Sequence, residues 1–119
     1  MGYMKPRVLR CIRVLKRECP LDVAVRIRTL PQAEINKHHP DAPRGVWGDC
    51  HINDSGVGVI RLSRDASQAV MLDTLLHEWA HLHDKGPPCA RDDHRVSWGE
   101  AYSKVYRAWI DSKEAAIDD

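Results

Sequence analysis

Nothing in the chain approaches the ~20 consecutive apolar residues that a membrane-spanning helix needs, so no span is expected. The basic start, Lys5-Pro6-Arg7, has no apolar stretch of signal-peptide type behind it, which argues against a secretory leader and for the cytoplasm. No two of the four cysteines, Cys11, Cys19, Cys50 and Cys89, form C-x-x-C. Their spacing fits neither a zinc ribbon nor a dense disulfide framework, and free thiols in a reducing compartment are expected. Repeats and low-complexity segments are absent. Net charge is only +1, so a charge-guided contact would have to rest on a local patch.

What is present fits a single domain over residues 1–119, a length suited to one folded unit and not two. Charge is unevenly spread. Lys5, Arg7, Arg10, Arg13, Lys16 and Arg17 crowd the N-terminal segment, and Asp111, Glu114, Asp118 and Asp119 the other end. A nucleic-acid contact through the Arg10, Arg13, Arg17 face is one expectation, and an ordinary solvated helix face is the other.

The periodicities give an order of elements. Lys5 to Glu18 reads as a helix, with Pro6 in its first turn, an apolar stripe of Val8, Leu9, Ile12 and Leu15, and Pro20 as a stop. Leu21 to Thr29 alternates as a half-buried strand. Residues 31–45 are rich in Pro, His, Asp and Gly and read as a loop, with His38 and His39 exposed. Val46 to Asn53 and Val57 to Leu62 read as a hairpin around the turn Asp54-Ser55-Gly56, with Trp47 in the core or at a cleft. Ser63 and Asp65 are N-cap candidates for a helix from about Ala66 to His83 or Asp84, closed by Gly86-Pro87-Pro88. A last helix opens at Ser97-Trp98-Gly99-Glu100 and carries the stripe Trp98, Ala101 or Tyr102, Val105, Trp109. The expected fold is α+β: helix, three-stranded sheet, active-site helix, closing helix.

The chemistry concentrates in His77-Glu78-Trp79-Ala80-His81. Two histidines four residues apart stack on one helix face, so both imidazoles can address one ion. Glu78, about 100° around the helix, can reach a water on that ion. On the helical wheel Leu72, Leu75, Leu76, Trp79 and Leu82 form a core face, opposite Val70, Thr74, His77 and His81. Zn²⁺ is the expected cofactor, with Glu78 as the general base.

A catalytic zinc takes three protein ligands and keeps one open position. The extended pattern H-E-x-x-H-x-x-G-x-x-H fails because Asp84 stands at its glycine, and His83 falls with Leu76 and Trp79 on the core side. Beyond the Gly-Pro-Pro break, His94 and Glu100 are the candidates. His94 is favoured, because Ser97-x-x-Glu100 forms a capping box that occupies the Glu100 carboxylate.

His77-Glu78-x-x-His81, then His94-x-x-x-Trp98-Gly99 and an aromatic helix with Tyr102, Tyr106 and Trp109, resembles the SprT-like zinc metallopeptidases over roughly residues 46–110. That family pairs H-E-x-x-H with a third histidine at the start of the next helix. The resemblance implies a minimal zincin layout, His77, His81 and His94 as metal ligands, and a protein or peptide substrate. Arg95 stands where a glycine often follows the third histidine, and no Cys-rich zinc ribbon follows.

On this reading the strand Val57 to Leu62 is the sheet edge beside the cleft, open to an extended peptide, with Gly56 and Gly58 permitting close backbone approach. Tyr102, Tyr106, Arg95 and His83 are candidates to stabilise an oxyanion, and Asp73, Asp84 and Asp93 to orient a ligand histidine. Two rivals follow from the same residues. One is a three-histidine zinc hydrolase acting on nucleic acid. The other is a non-catalytic binding module stabilised by a closed metal site, with Cys89 or His83 as fourth ligand.

Overall fold

Proline suits the first position of a helix, where its fixed φ and missing N–H cost nothing. In the computed structural model, which describes residues 4–42, 45–84 and 96–117, α1 accordingly runs Pro6–Glu18. Its buried stripe is Val8, Cys11, Val14 and Leu15. Leu9, expected in that stripe, is 41% exposed, and Val14 takes its place. The stripe from Val8 continues through Cys11 and Leu15 at helical spacing, and Leu9 lies about 100° to one side of it. Burial pushes the Cys11 thiol up to about 12 against the lowering effect of Arg7, so it is inert as a nucleophile near neutral pH.

β1 spans Val25–Leu30 and alternates as expected, Arg26 and Arg28 exposed and Val25 and Ile27 turned inward. It starts later than the alternation alone indicates, because its partner strand begins only at Gly58, which pairs with Val25. The segment read as a loop holds a short helix, α2, Gln32–Asn36. Five residues cannot display a 3.6-residue period, which hides it from the sequence. Its first N–H, on Gln32, donates to the Asp65 carboxylate at 2.9 Å, and Ile35 is fully buried.

β2, Gly48–Ile52, and β3, Gly58–Ser63, form the expected hairpin. Asn53 organises its turn by accepting from Ser55 N and Val57 N, and Gly56 takes the φ of +79° that closes it. The strand order is β1-β3-β2, with β1 parallel and β2 antiparallel to β3. The expected placement of β3 at the edge is therefore overturned: β3 is central, and β2 is the edge on the cleft side. Val59, Ile60 and Leu62 are all buried, as a strand covered on both faces requires.

α3, Gln68–His83, is capped by Ser67, whose hydroxyl accepts from Val70 N at 3.2 Å. Neither Ser63 nor Asp65 does so; Asp65 caps α2 instead. α3 lies against β2, β3, α1 and α4, the last running Val96–Ile110. These packings bury Met71, Leu75, Leu76, Trp79 and Ala80 of α3 with Ala101, Val105 and Trp109 of α4. The result is an α+β arrangement of a three-stranded sheet and four helices. Among the described residues, no helix is long and apolar enough to cross a membrane.

On the outer face of the sheet, Asp49 accepts two hydrogen bonds from Arg61 at 2.6 Å and contacts His39 Nε2 at 2.7 Å. His39 is thus half-buried and engaged, while His38 is exposed as expected. Burial raises the Asp49 carboxyl, but the hydrogen bonds and charges of Arg61 and His39 outweigh it and hold the group below its ordinary value of 3.8. A depressed folded-state pKa contributes stability that is present above the unfolded value and lost as pH falls through the folded one. Asp49→Asn is expected to lose about 2 kcal/mol at neutral pH, since it leaves a mostly buried guanidinium without its charge partner. Urea unfolding at stepped pH checks this: the wild-type advantage should shrink below about pH 4, where unfolded carboxylates protonate.

Candidate functional site

The second half of α3 is buried nearly all round, because the sheet covers one flank and α4 another. Glu78 and His81 are buried along with Trp79, Ala80 and Leu82. The wheel's clean division into a core face and a ligand face holds only for the first turns. His77 and His81 nevertheless converge, with their Nε2 atoms 3.2 Å apart and their rings inclined at 66°. Two imidazoles sharing a tetrahedral ion at bonds of about 2.0–2.1 Å span about 3.3–3.4 Å between nitrogens. The pair therefore fits a zinc-sized cation. One ring proton between neutral imidazoles satisfies the same contact.

Among the described residues, no third His, Cys, Asp or Glu joins them in a metal-binding group. His94 lies outside the described residues, as do Cys89, Asp93 and Arg95. Glu100 is described, and its position disfavours it. It is exposed and two residues, about 200° of helix, from both Trp98 and Tyr102, which face the histidines. The expected capping box is not formed either, because Ser97 lies inside α4 rather than at an N-cap.

Glu78 opens onto a cleft of ≈ 320 Å³. One wall is Asp73, Thr74, His77 and Glu78 from α3, and the other is Val46, Trp47 and Gly48 at the start of β2. Gly48 is required here: a Cβ at this position would lie 2.5 Å from the Arg61 carbonyl oxygen and 2.7 Å from Thr74 Cγ2. The close approach thus belongs to Gly48 rather than to Gly56, which has open space around it, or to Gly58, which meets Leu82. α2 fixes the entry to this wall. The Gln32 side-chain amide donates to the Val46 carbonyl, and Asn36 Oδ1 accepts from Val46 N at 3.4 Å. Trp47, 49% exposed, stands at the rim.

α4 supplies the roof. The Trp98 ring lies 5.0 Å from His77 and 5.4 Å from His81, and it stacks on Tyr102 at 5.0 Å. Tyr102 is 6.5 Å from His77. Burial, then the nearby Asp73 and Tyr106, raise its hydroxyl above the usual tyrosine value, so it remains a neutral donor across the physiological range. Trp98 was legible as part of a helical stripe, but its contact with both histidines depends on how α4 crosses α3. Of the remaining oxyanion candidates, Tyr106 is exposed on the same helix and His83 is half-buried at the end of α3. Asp73 lines the cleft, whereas Asp84 is buried at the C-cap of α3.

The basic face of α1 is partly neutralised from the far end of the chain. Arg17 pairs with Glu18 at 2.8 Å and reaches Glu114 at 3.8 Å. Arg7 donates to the carbonyls of Ile117 and Ala115 and lies over the Trp109 ring. Arg10 is half-buried and Arg13 exposed.

Comparison with protein-family models, with the curated proteins and with the solved structures finds no match for the chain.

Proposed function

We propose that this chain is a zinc-dependent peptidase of the minimal zincin type, similar in layout to the SprT-like metallopeptidases, with His77, His81 and His94 as metal ligands and Glu78 as general base. One observation carries the reading. His77, whose Nε2 converges on that of His81, and the buried Glu78 carboxylate of the same helix share a cleft with the edge strand of a sheet. When bound, zinc supplies Lewis acidity toward a water and a substrate carbonyl.

The chain's own residues do the rest. Glu78 takes the proton of the attacking water and returns it to the leaving amine. Among the described residues no strand pairs with β2 on the side away from β3, and that edge offers its backbone to an extended peptide. Trp98 and Tyr102 narrow the space over the histidines and exclude water, which strengthens the polar contacts inside. Tyr102 presents its neutral hydroxyl toward developing negative charge.

Chelation is the direct test. Hydrolysis of an unfolded protein substrate should stop on treatment with a strong zinc chelator and return when zinc is restored. Hydrolysis indifferent to chelation would remove the peptidase reading, and zinc-dependent cleavage of RNA in place of peptide would transfer it to the nucleic-acid class.

A further inference from the structure

We infer that a second cavity, next to the cleft, is the subsite for a bulky apolar side chain of the substrate, two to four residues from the scissile bond. The inference rests on the peptidase reading and gives it a substrate preference. The cavity measures ≈ 280 Å³ and is walled by Leu72, Leu76, Tyr106, Trp109 and Ile110. Small-molecule pockets begin at about 300 Å³, so this one suits a single large side chain. Asp73 lines both cavities, which therefore neighbour each other along α3.

Three features connect it to the histidine pair. The first is an aromatic wall on α4: Trp98 stacks on Tyr102, and Tyr102 lies 6.1 Å from Tyr106 at the second cavity. The second is direction. Gly48 at the start of β2 abuts Thr74, and Ile52 at its end pairs with Gly58, which abuts Leu82. β2 and α3 thus run in the same sense, and a peptide leaving the edge of β2 past Trp47 heads for the N-terminal half of α3, where the second cavity opens. The third is distance. Leu72 and Gln68 precede His77 by about 7.5 and 13.5 Å of helix rise. At about 3.3 Å per extended residue, that is two to four positions.

The chemistry of the walls selects the occupant. Tyr106 is 42% and Ile110 50% exposed, side by side at the rim, so apolar surface faces water until something covers it. Arg7, which also lines the cavity, is engaged by Ala115, Ile117 and Trp109. The Asp73 carboxylate at the junction repels acidic residues. A leucine, methionine or aromatic side chain fits; glutamate and aspartate do not.

The test is a set of dodecapeptides of polar residues and alanine in which one leucine is moved position by position, digested by zinc-loaded protein with Glu78→Gln as control. Wild type should cleave with leucine fixed two to four residues to one side of the cut, at a leucine-over-alanine ratio of about 10–200 in kcat/KM. Ile110→Glu, and Tyr106→Ala as a second variant, should bring that ratio near one. Glu78-dependent cleavage with no leucine preference, or with a preference unchanged in both variants, overturns the subsite alone. Absence of any Glu78-dependent cleavage overturns the peptidase reading and the subsite with it. A wild-type dimer that Ile110→Glu converts to monomer would make the cavity a self-interface and overturn the inference too.

Discussion

Glu78→Gln should lower peptide hydrolysis by about 10²–10⁴-fold while leaving the fold and the metal content unchanged. Glutamine keeps the volume and one acceptor oxygen of the glutamate but cannot accept a proton. Glu78 is 8% exposed and lines the cleft between α3 and the start of β2, beside His77. Measured kcat, together with unfolding midpoint and zinc content on the same preparation, separates the effect from misfolding. A purely structural metal site predicts the opposite: the substitution would change neither stability nor any activity. If Glu78→Gln retains wild-type kcat, the general base is another group and the H-E-x-x-H reading of mechanism fails.

Trp79→Ala is expected to cost about 3–5 kcal/mol, a large share of the 5–15 kcal/mol that holds a domain together. Trp79 is fully buried between the histidines in sequence but on the far side of α3. Its indole N–H donates to the Cys19 carbonyl at 2.9 Å, a buried hydrogen bond that ties α3 to the C-cap of α1. Removing the ring leaves a cavity and strands that carbonyl. Trp79→Phe, which restores most of the ring but no donor, should recover all but about 1–2 kcal/mol. Urea unfolding of the three proteins checks both values. A loss below about 0.5 kcal/mol for Trp79→Ala would mean that α3 is not anchored through this side chain.

Both predictions concern a helix whose sequence announces it. The run from Val70 to Leu82 carries core periodicity and the H-E-x-x-H motif together, and its N-cap was misplaced at Ser63 or Asp65, whereas the oxygen that meets an N–H belongs to Ser67. β1 was legible from its alternating arginines. β3 was legible as a strand but was placed at the edge, although its near-continuous Val59, Ile60 and Leu62 carry the mark of a strand buried on both faces. A hairpin alone leaves open which of its strands faces outward; here the parallel pairing of β1 with β3 decides it, and pairing between segments more than thirty residues apart leaves no local signal. The His39–Asp49–Arg61 network was hidden for the same reason, and α2 both for that reason and because it is too short to show a period. At the site, His77 and His81 converge as their spacing dictates, and Glu78 lines the cleft with His77. The roof of Trp98 and Tyr102 and the rim at Trp47 depend on packing angles that composition does not encode.

Zinc content of the purified protein tests the central claim most directly. Wild type prepared without added metal should carry about one zinc per chain, as an open three-ligand site requires. His81→Ala and His94→Ala should lose it, and Glu100→Ala, on the side of α4 turned from the histidines, should keep it. Zinc absent from wild type, or retained after His81→Ala, would contradict the account.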